Sequence, residues 1–301
     1  MSNSSPNFFN VGISPSPESD AKTTAEGGRS SLDLRTQLVH AVPSSLRRVG
    51  WKFSYWPGCS EANLVLLTSA SSRRTDGLER VRPTEEALAE NWKIANGRAS
   101  SKSRRYFVSN SLRYMWVLTF AEGEFDRRSV MTLVSDLARR LRSAQGDQKF
   151  PYWYSPELHP GGHGWHVNLF IPLRLPHNLM EELWGRGFVW VTDFATSQRG
   201  PHGEPLGLCR TPQEALRRAA RYGCKYSQKD WSPEHVGPRN HRYEIAQGFK
   251  PEVVSQWVND PLEAEAMVAE LVPEGQWNAL QKWNSNDDPE WTRIPVRTWR
   301  W

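Results

Sequence analysis

Cysteine is scarce in this chain: Cys59, Cys209 and Cys224 are the only three among 301 residues, and no two stand at a paired spacing. A disulfide framework is therefore not expected, and a reducing cytoplasm is the expected compartment. No apolar run approaches bilayer length, and the amino-terminal residues lack a basic-then-apolar leader, so neither membrane insertion nor secretion is expected. A Gly-x-x-x-x-Gly-Lys-Ser/Thr loop is missing as well, which removes ATP-driven unwinding from the candidate activities. Repeats of solenoid period are absent. Acidic residues fall short of basic ones by 33 to 38, for a net charge of +5 and a pI near 9.2. The basic excess is clustered, as a surface facing a phosphate backbone would be.

What the chain does have is tryptophan, 15 in all. Most belong in a core, although such rings also stack on unpaired bases. Residues 1–35 are rich in Ser, Pro, Asn, Thr and Gly and read as a disordered tail. Residues 36–104 form an accessory region with two short strands, Gly50–Trp56 and Asn63–Leu67, around a Pro57-Gly58 turn. One helix is expected there, near Thr84–Ala95, followed by a basic stretch through Arg105.

From there the elements alternate. Tyr114–Phe120 is bulky and β-prone. Asp126 can cap a helix whose apolar positions Val130, Leu133, Val134, Leu137 and Leu141 keep helical spacing, with Gly146 beyond its end. Two aromatic-rich runs, Tyr152–Leu158 and Trp165–Ile171, flank a Pro160-Gly161-Gly162 turn and predict a hairpin. Pro176 opens a short helix with Leu179, Met180 and Leu183 on one stripe, stopped by Gly185, and Phe188–Thr192 is a further strand. The order β-α-β-β-α-β predicts an α+β domain of ferredoxin-like arrangement, an antiparallel sheet with helices on one face.

Within the hairpin, alternation puts His166, Asn168 and Phe170 on one face. Glu157, late in the preceding run, could lie across from them. An imidazole, an amide oxygen and a carboxylate suit a hard divalent cation such as Mg²⁺ or Mn²⁺. Two other readings remain open at this point: His166 as a hydrogen-bonded rim residue, and a zinc site from His159, His163 and His166. Downstream, Thr211-Pro212-Gln213-Glu214 carries a capping Thr, a Pro at the first helical position and a Glu three residues after the cap. On that helix Tyr222, Lys225, Tyr226 and Lys229 share one stripe. Gly223 among them implies close packing or a bend. The stripe also reads simply as an amphipathic face covering the core. His235–Phe249 is basic and irregular, Pro261–Leu271 is an acidic amphipathic helix, and Pro289–Trp301 mixes Trp with Arg, as a docking segment or a nucleic-acid contact would.

Taken together, Met115–Phe120, Gly164-Trp165-His166-Val167-Asn168-Leu169, Trp184–Val189, Tyr222-Gly223-Cys224-Lys225-Tyr226 and His241–Phe249 resemble, in that order, the motifs of the HUH endonucleases. The closer resemblance is to the rolling-circle replication initiators of plasmids, phages and integrative elements. It covers residues 105–250, with 251–301 as a carboxy-terminal extension. It implies a Mg²⁺- or Mn²⁺-dependent nickase and ligase acting on single-stranded or hairpin origin DNA, with a host helicase and DNA polymerase as partners. Tyr222 would be the main nucleophile, Tyr226 the second, and Lys225 a stabiliser of phenolate or phosphate. His166, Asn168 and Glu157 would hold the metal, with His163 as a further candidate. The family motif has a second histidine where this chain has Asn168, and an amide oxygen still coordinates magnesium or manganese. A relaxase or a single-strand transposase would share the chemistry, and an origin-binding repressor on a decayed nuclease fold would share only the fold.

Overall fold

The computed structural model describes residues 50–67, 84–124, 126–159, 161–200, 203–228, 242–273, 281–284 and 296–301. The tail at 1–35 and Lys229 lie outside these residues, as do 235–241 and 289–295. The fold is α+β with two antiparallel sheets.

The first sheet begins with β1 (Gly50–Trp56) and β2 (Glu61–Leu67), joined by a 3-10 turn at Pro57–Cys59 where the Pro-Gly pair was expected to turn the chain. The remaining strands of this sheet come from the other end of the chain. β8 (Val254–Val258) pairs with β1, β10 (Val296–Arg300) with β2, and β9 (Gln281–Asn284) with β10. The accessory region and the carboxy-terminal extension thus share one sheet. Phe53, Ala62, Leu64 and Trp299 of that sheet pack against Ala264 and Val268 of the helix at Pro261–Leu271. Trp299 and Trp301 are buried, so the described end of the Trp-Arg segment is a docked one.

The second sheet has the strand order β6-β3-β5-β4-β7, where β3 is Tyr114–Leu118, β4 Trp153–Leu158, β5 Trp165–Ile171, β6 Val189–Asp193 and β7 Glu244–Ile245. One face carries Tyr114, Trp116, Leu118, Tyr154, Val167, Leu169 and Ile171. It packs against the helices Arg127–Ala144 and His177–Trp184. The local signals that start and stop these helices act as expected. Asp126 accepts from the amides of Arg128 and Ser129, Gly146 takes φ +68°, and Gly185 closes the second helix in the left-handed conformation. A capping carboxylate is worth about 1 kcal/mol.

Helices cover the other face too, which corrects the expectation of helices on one side only. α1 (Glu85–Ser109) and the tyrosine-bearing helix Pro212–Gln228 lie there; in chain order the helices are α1, α2 (Arg127–Ala144), α3 (His177–Trp184), α4 (Pro212–Gln228) and α5 (Pro261–Leu271). α1 extends well past the expected Ala95 and absorbs the basic stretch at 101–105. Its second half is held by tertiary contacts: Tyr106, Phe107 and Val108 are buried, and the Trp153 indole donates to Ser103 Oγ at 3.2 Å. No apolar periodicity announces that half, because 97–105 has only small and polar residues and the buried apolar ones that follow, Tyr106, Phe107 and Val108, are consecutive.

α1 and α4 approach closely at Gly223, where an added Cβ would stand 2.4 Å from Phe107 Cζ. Phe107 is fully buried and wedged between Trp153 and Phe170, so it has nowhere to retreat. Alanine is the better helix former by about 1 kcal/mol, yet overpacking costs about 1–3 kcal/mol. Gly223→Ala should therefore lower the urea midpoint, and a raised midpoint would refute the close approach.

Candidate functional site

Strand register assembles the polar group. In the β4–β5 hairpin Glu157 stands directly opposite His166, and Ser155 opposite Asn168. Gly164 (φ +82°) lets the turn pass within reach of Glu124, whose carbonyl accepts from the Trp165 amide at 2.7 Å. A Cβ at Gly164 would lie 2.6 Å from that carbonyl oxygen, so the hairpin's entry into β5 depends on glycine.

Glu157 Oε2 is the meeting point. His166 Nε2 lies 3.2 Å from it, and Asn168 Nδ2 donates to it at 3.2 Å. Burial holds the His166 imidazole below its ordinary pKa. The contact is therefore that of a neutral ring whose Nε2–H donates to a carboxylate, which leaves the lone pair on Nδ1. His166 Nδ1 is buried and has no hydrogen-bond partner among the described residues. A ligand histidine has this form: one nitrogen tied to a carboxylate, the other left for an ion.

His163 does not join this contact. It is exposed in the hairpin turn with its ring centroid 5.0 Å from that of His159, which in turn lies 6.1 Å from His166. His159 Nδ1 is already taken by the Gly161 amide at 3.0 Å. Among the described residues no group of three or more His, Cys, Asp or Glu side chains is placed to hold a metal ion. Of the combinations expected from the sequence, the structure brings together His166, Asn168 and Glu157, through contacts to the Glu157 carboxylate.

The tyrosines lie on the same side of the sheet as this group. Phe170, next but one after Asn168, stacks with Phe194 at 6.2 Å; Phe194 meets Tyr222 at 5.4 Å, and Tyr222 meets Tyr226 edge to face at 5.6 Å. Thr211 Oγ1 accepts from the Glu214 amide and Glu214 accepts from the Arg210 amide, a reciprocal cap that fixes the start of α4. Lys225 is exposed, with Nζ 5.0 Å from the Tyr222 ring centre.

Both phenols are buried, at 5% and 3% exposure. Burial pushes the Tyr222 phenol up to about 12, the hydrogen bond from Tyr226 opposes that rise, and the Glu204 carboxylate adds to it. Tyr226 is raised by burial, by donating to Tyr222 and by Glu204. The sequence reading missed Glu204. It sits in the Gly/Pro-rich loop before α4, where no periodicity marks a side chain that folds back onto a helix.

A cleft lined by Trp116, Arg174 and His177 lies on the opposite face of this sheet. Among the described residues, no helix is long and apolar enough to cross a membrane. No protein-family model, no curated protein and no solved structure matches the chain.

Proposed function

We propose that this chain is a rolling-circle replication initiator of the HUH endonuclease type, which nicks single-stranded origin DNA through a 5′-phosphotyrosyl intermediate and rejoins the strands. One observation carries the reading. Two tyrosines and a neutral histidine bound to a carboxylate share one face of an antiparallel sheet. The strand order β6-β3-β5-β4, with α2 and α3 as the two crossovers, supports a ferredoxin-like core beneath them.

The chemistry needs a nucleophile that retains the energy of the broken bond, because the nick must later be resealed. A phenol oxygen attacks the scissile phosphorus, the 3′-hydroxyl leaves, and a phosphotyrosine ester links protein to the 5′ end. Glu204 would accept the phenol proton, since its carboxylate lies close enough to raise both phenols. Lys225 would balance the charge of the phenolate or the phosphate. His166, Asn168 and Glu157 would hold Mg²⁺ or Mn²⁺, with His166 Nδ1 and the Asn168 amide as ligands and Glu157 fixing the tautomer. When bound, the cation would supply neutralisation of charge on the phosphate. Host helicase and polymerase would do the unwinding and the synthesis.

The test is direct. Purified protein incubated with a labelled single-stranded origin oligonucleotide and manganese should leave an adduct that survives denaturation. No adduct with any strand of the origin would sink the proposal and favour an origin-binding repressor. The metal arm has its own readout: Mn²⁺ should raise the melting temperature of the wild type, and Glu157→Gln should lose most of that rise. An equal rise in the variant would remove Glu157 from the site.

A further inference from the structure

Strand β6 is an edge of its sheet, and it faces outward with aromatic residues. Phe188 is 81% exposed and Trp190 63% exposed. Their side is fixed by register. Trp190 pairs with Val117, which pairs with Asn168; one step on, Phe188 exchanges backbone and hydroxyl hydrogen bonds with Thr119. Both rings therefore project from the face that carries Asn168 and His166. Nothing among the described residues covers either ring.

The approach to Phe188 is built with care at the backbone. Gly185 ends α3 at φ +60°, and the Trp184 indole donates to Thr119 O at 2.7 Å. Gly187 passes so near that a Cβ would lie 2.4 Å from the same oxygen. Arg186, held between those glycines by its carbonyl accepting from the Ala121 amide, is exposed and pairs with no carboxylate among the described residues. This is the Trp184–Val189 motif, to which the nicking chemistry assigns nothing.

Successive residues on one face of a strand stand roughly 6.8 Å apart, about twice the spacing of stacked bases. Arg186, exposed and two residues before Phe188, sets a cation at the edge of this surface. Such a surface suits a ligand that turns flat apolar faces inward and phosphates outward. A duplex hides its bases and cannot do so; a single strand can.

We propose that Phe188 and Trp190 form a stacking platform for unpaired DNA bases, which lays a single strand beside the His166 and Glu157 group with Arg186 on its phosphates. This rests on the proposed nicking function for its place in a reaction, but not for its binding.

Fluorescence anisotropy with a labelled oligothymidine of about 15 nucleotides, in EDTA so that no cleavage occurs, tests it. The double variant Phe188→Ala/Trp190→Ala should bind about thirtyfold more weakly or worse, the loss of two stacking contacts. Its melting temperature should be unchanged because both rings are exposed. Phe188→Tyr/Trp190→Phe should bind as the wild type does. Unchanged oligonucleotide affinity in the alanine variant overturns the platform. So does an equal loss for a blunt duplex, and so does a change in molecular mass by light scattering with affinity intact, which would make the patch a protein contact. Weakened binding without any covalent adduct in manganese would keep the platform and discard the nicking reading; an adduct with unaltered affinity would do the reverse.

Discussion

Replacing Glu61 by glutamine should cost the protein about 3–5 kcal/mol of stability, the penalty for leaving buried charges without their partner. Glu61 is in β2, and its carboxylate is almost fully buried. Oε1 accepts from Arg105 Nε at 2.7 Å and Arg104 Nη2 at 3.0 Å, while Oε2 accepts from Arg104 Nε at 3.0 Å and Arg300 Nε at 3.2 Å. Arg300 belongs to the same sheet through β10. Arg104 and Arg105 belong to α1, whose Tyr106 and Phe107 pack on the second sheet. The Arg105 guanidinium also lies 3.4 Å over the Trp56 ring. One carboxylate therefore ties the two sheets together, and three guanidinium groups would face one another without it.

The same residue predicts a pH dependence. Burial alone would raise the Glu61 pKa, but Arg104, Arg105 and Arg300 outweigh it and lower the value from 4.5 to about 2. The folded pKa lies below the unfolded one. The contribution is thus complete above about pH 4.5 and is lost as pH falls toward 2. Urea midpoints measured from pH 6 downward should show wild type and Glu61→Gln converging across that window. A constant gap would mean that the variant acts through packing and not through charge.

The largest functional effect expected is on the covalent adduct. Tyr222→Phe/Tyr226→Phe should abolish it, by more than about 100-fold, since these two phenols are the proposed nucleophiles. Phenylalanine keeps both rings in the core, so the fold should survive and urea midpoints should shift little. Tyr222→Phe alone should remove most first-strand cleavage. Tyr226→Phe alone should spare the first cut and block the transfer that releases a circle. Adduct persisting at wild-type level in the double variant would discard both assignments.

Burial of the phenols shapes how that chemistry can run. With Tyr222 raised to about 12, the phenol is neutral at ordinary pH. Deprotonation must therefore be assisted, and Glu204→Gln should slow cleavage, by more at pH 6 than at pH 9, where hydroxide can substitute for the carboxylate. The chain of rings from Phe170 to Tyr226 places the oxygens beside the sheet face but under cover. For DNA to reach them the buried phenols must be uncovered.

The sequence alone determined what neighbours in the chain decide. Helix starts at Asp126 and Thr211 follow from side chains that bond amides two or three residues on, and helix stops follow from glycines that accept positive φ. The hairpin that sets Glu157 against His166 joins residues only nine apart, so alternation and a turn suffice to read it. Tertiary structure decided the rest. That β1 and β2 would pair with strands some 200 residues later is a matter of which apolar edges meet, and no local pattern encodes it. The second half of α1 is helical because Phe107 fills the space above Gly223, and Glu61 is ionised because three arginines from two other elements converge on it. The exposure of Phe188 and Trp190 was equally hidden, since an aromatic strand residue looks the same in sequence whether a helix covers it or solvent does.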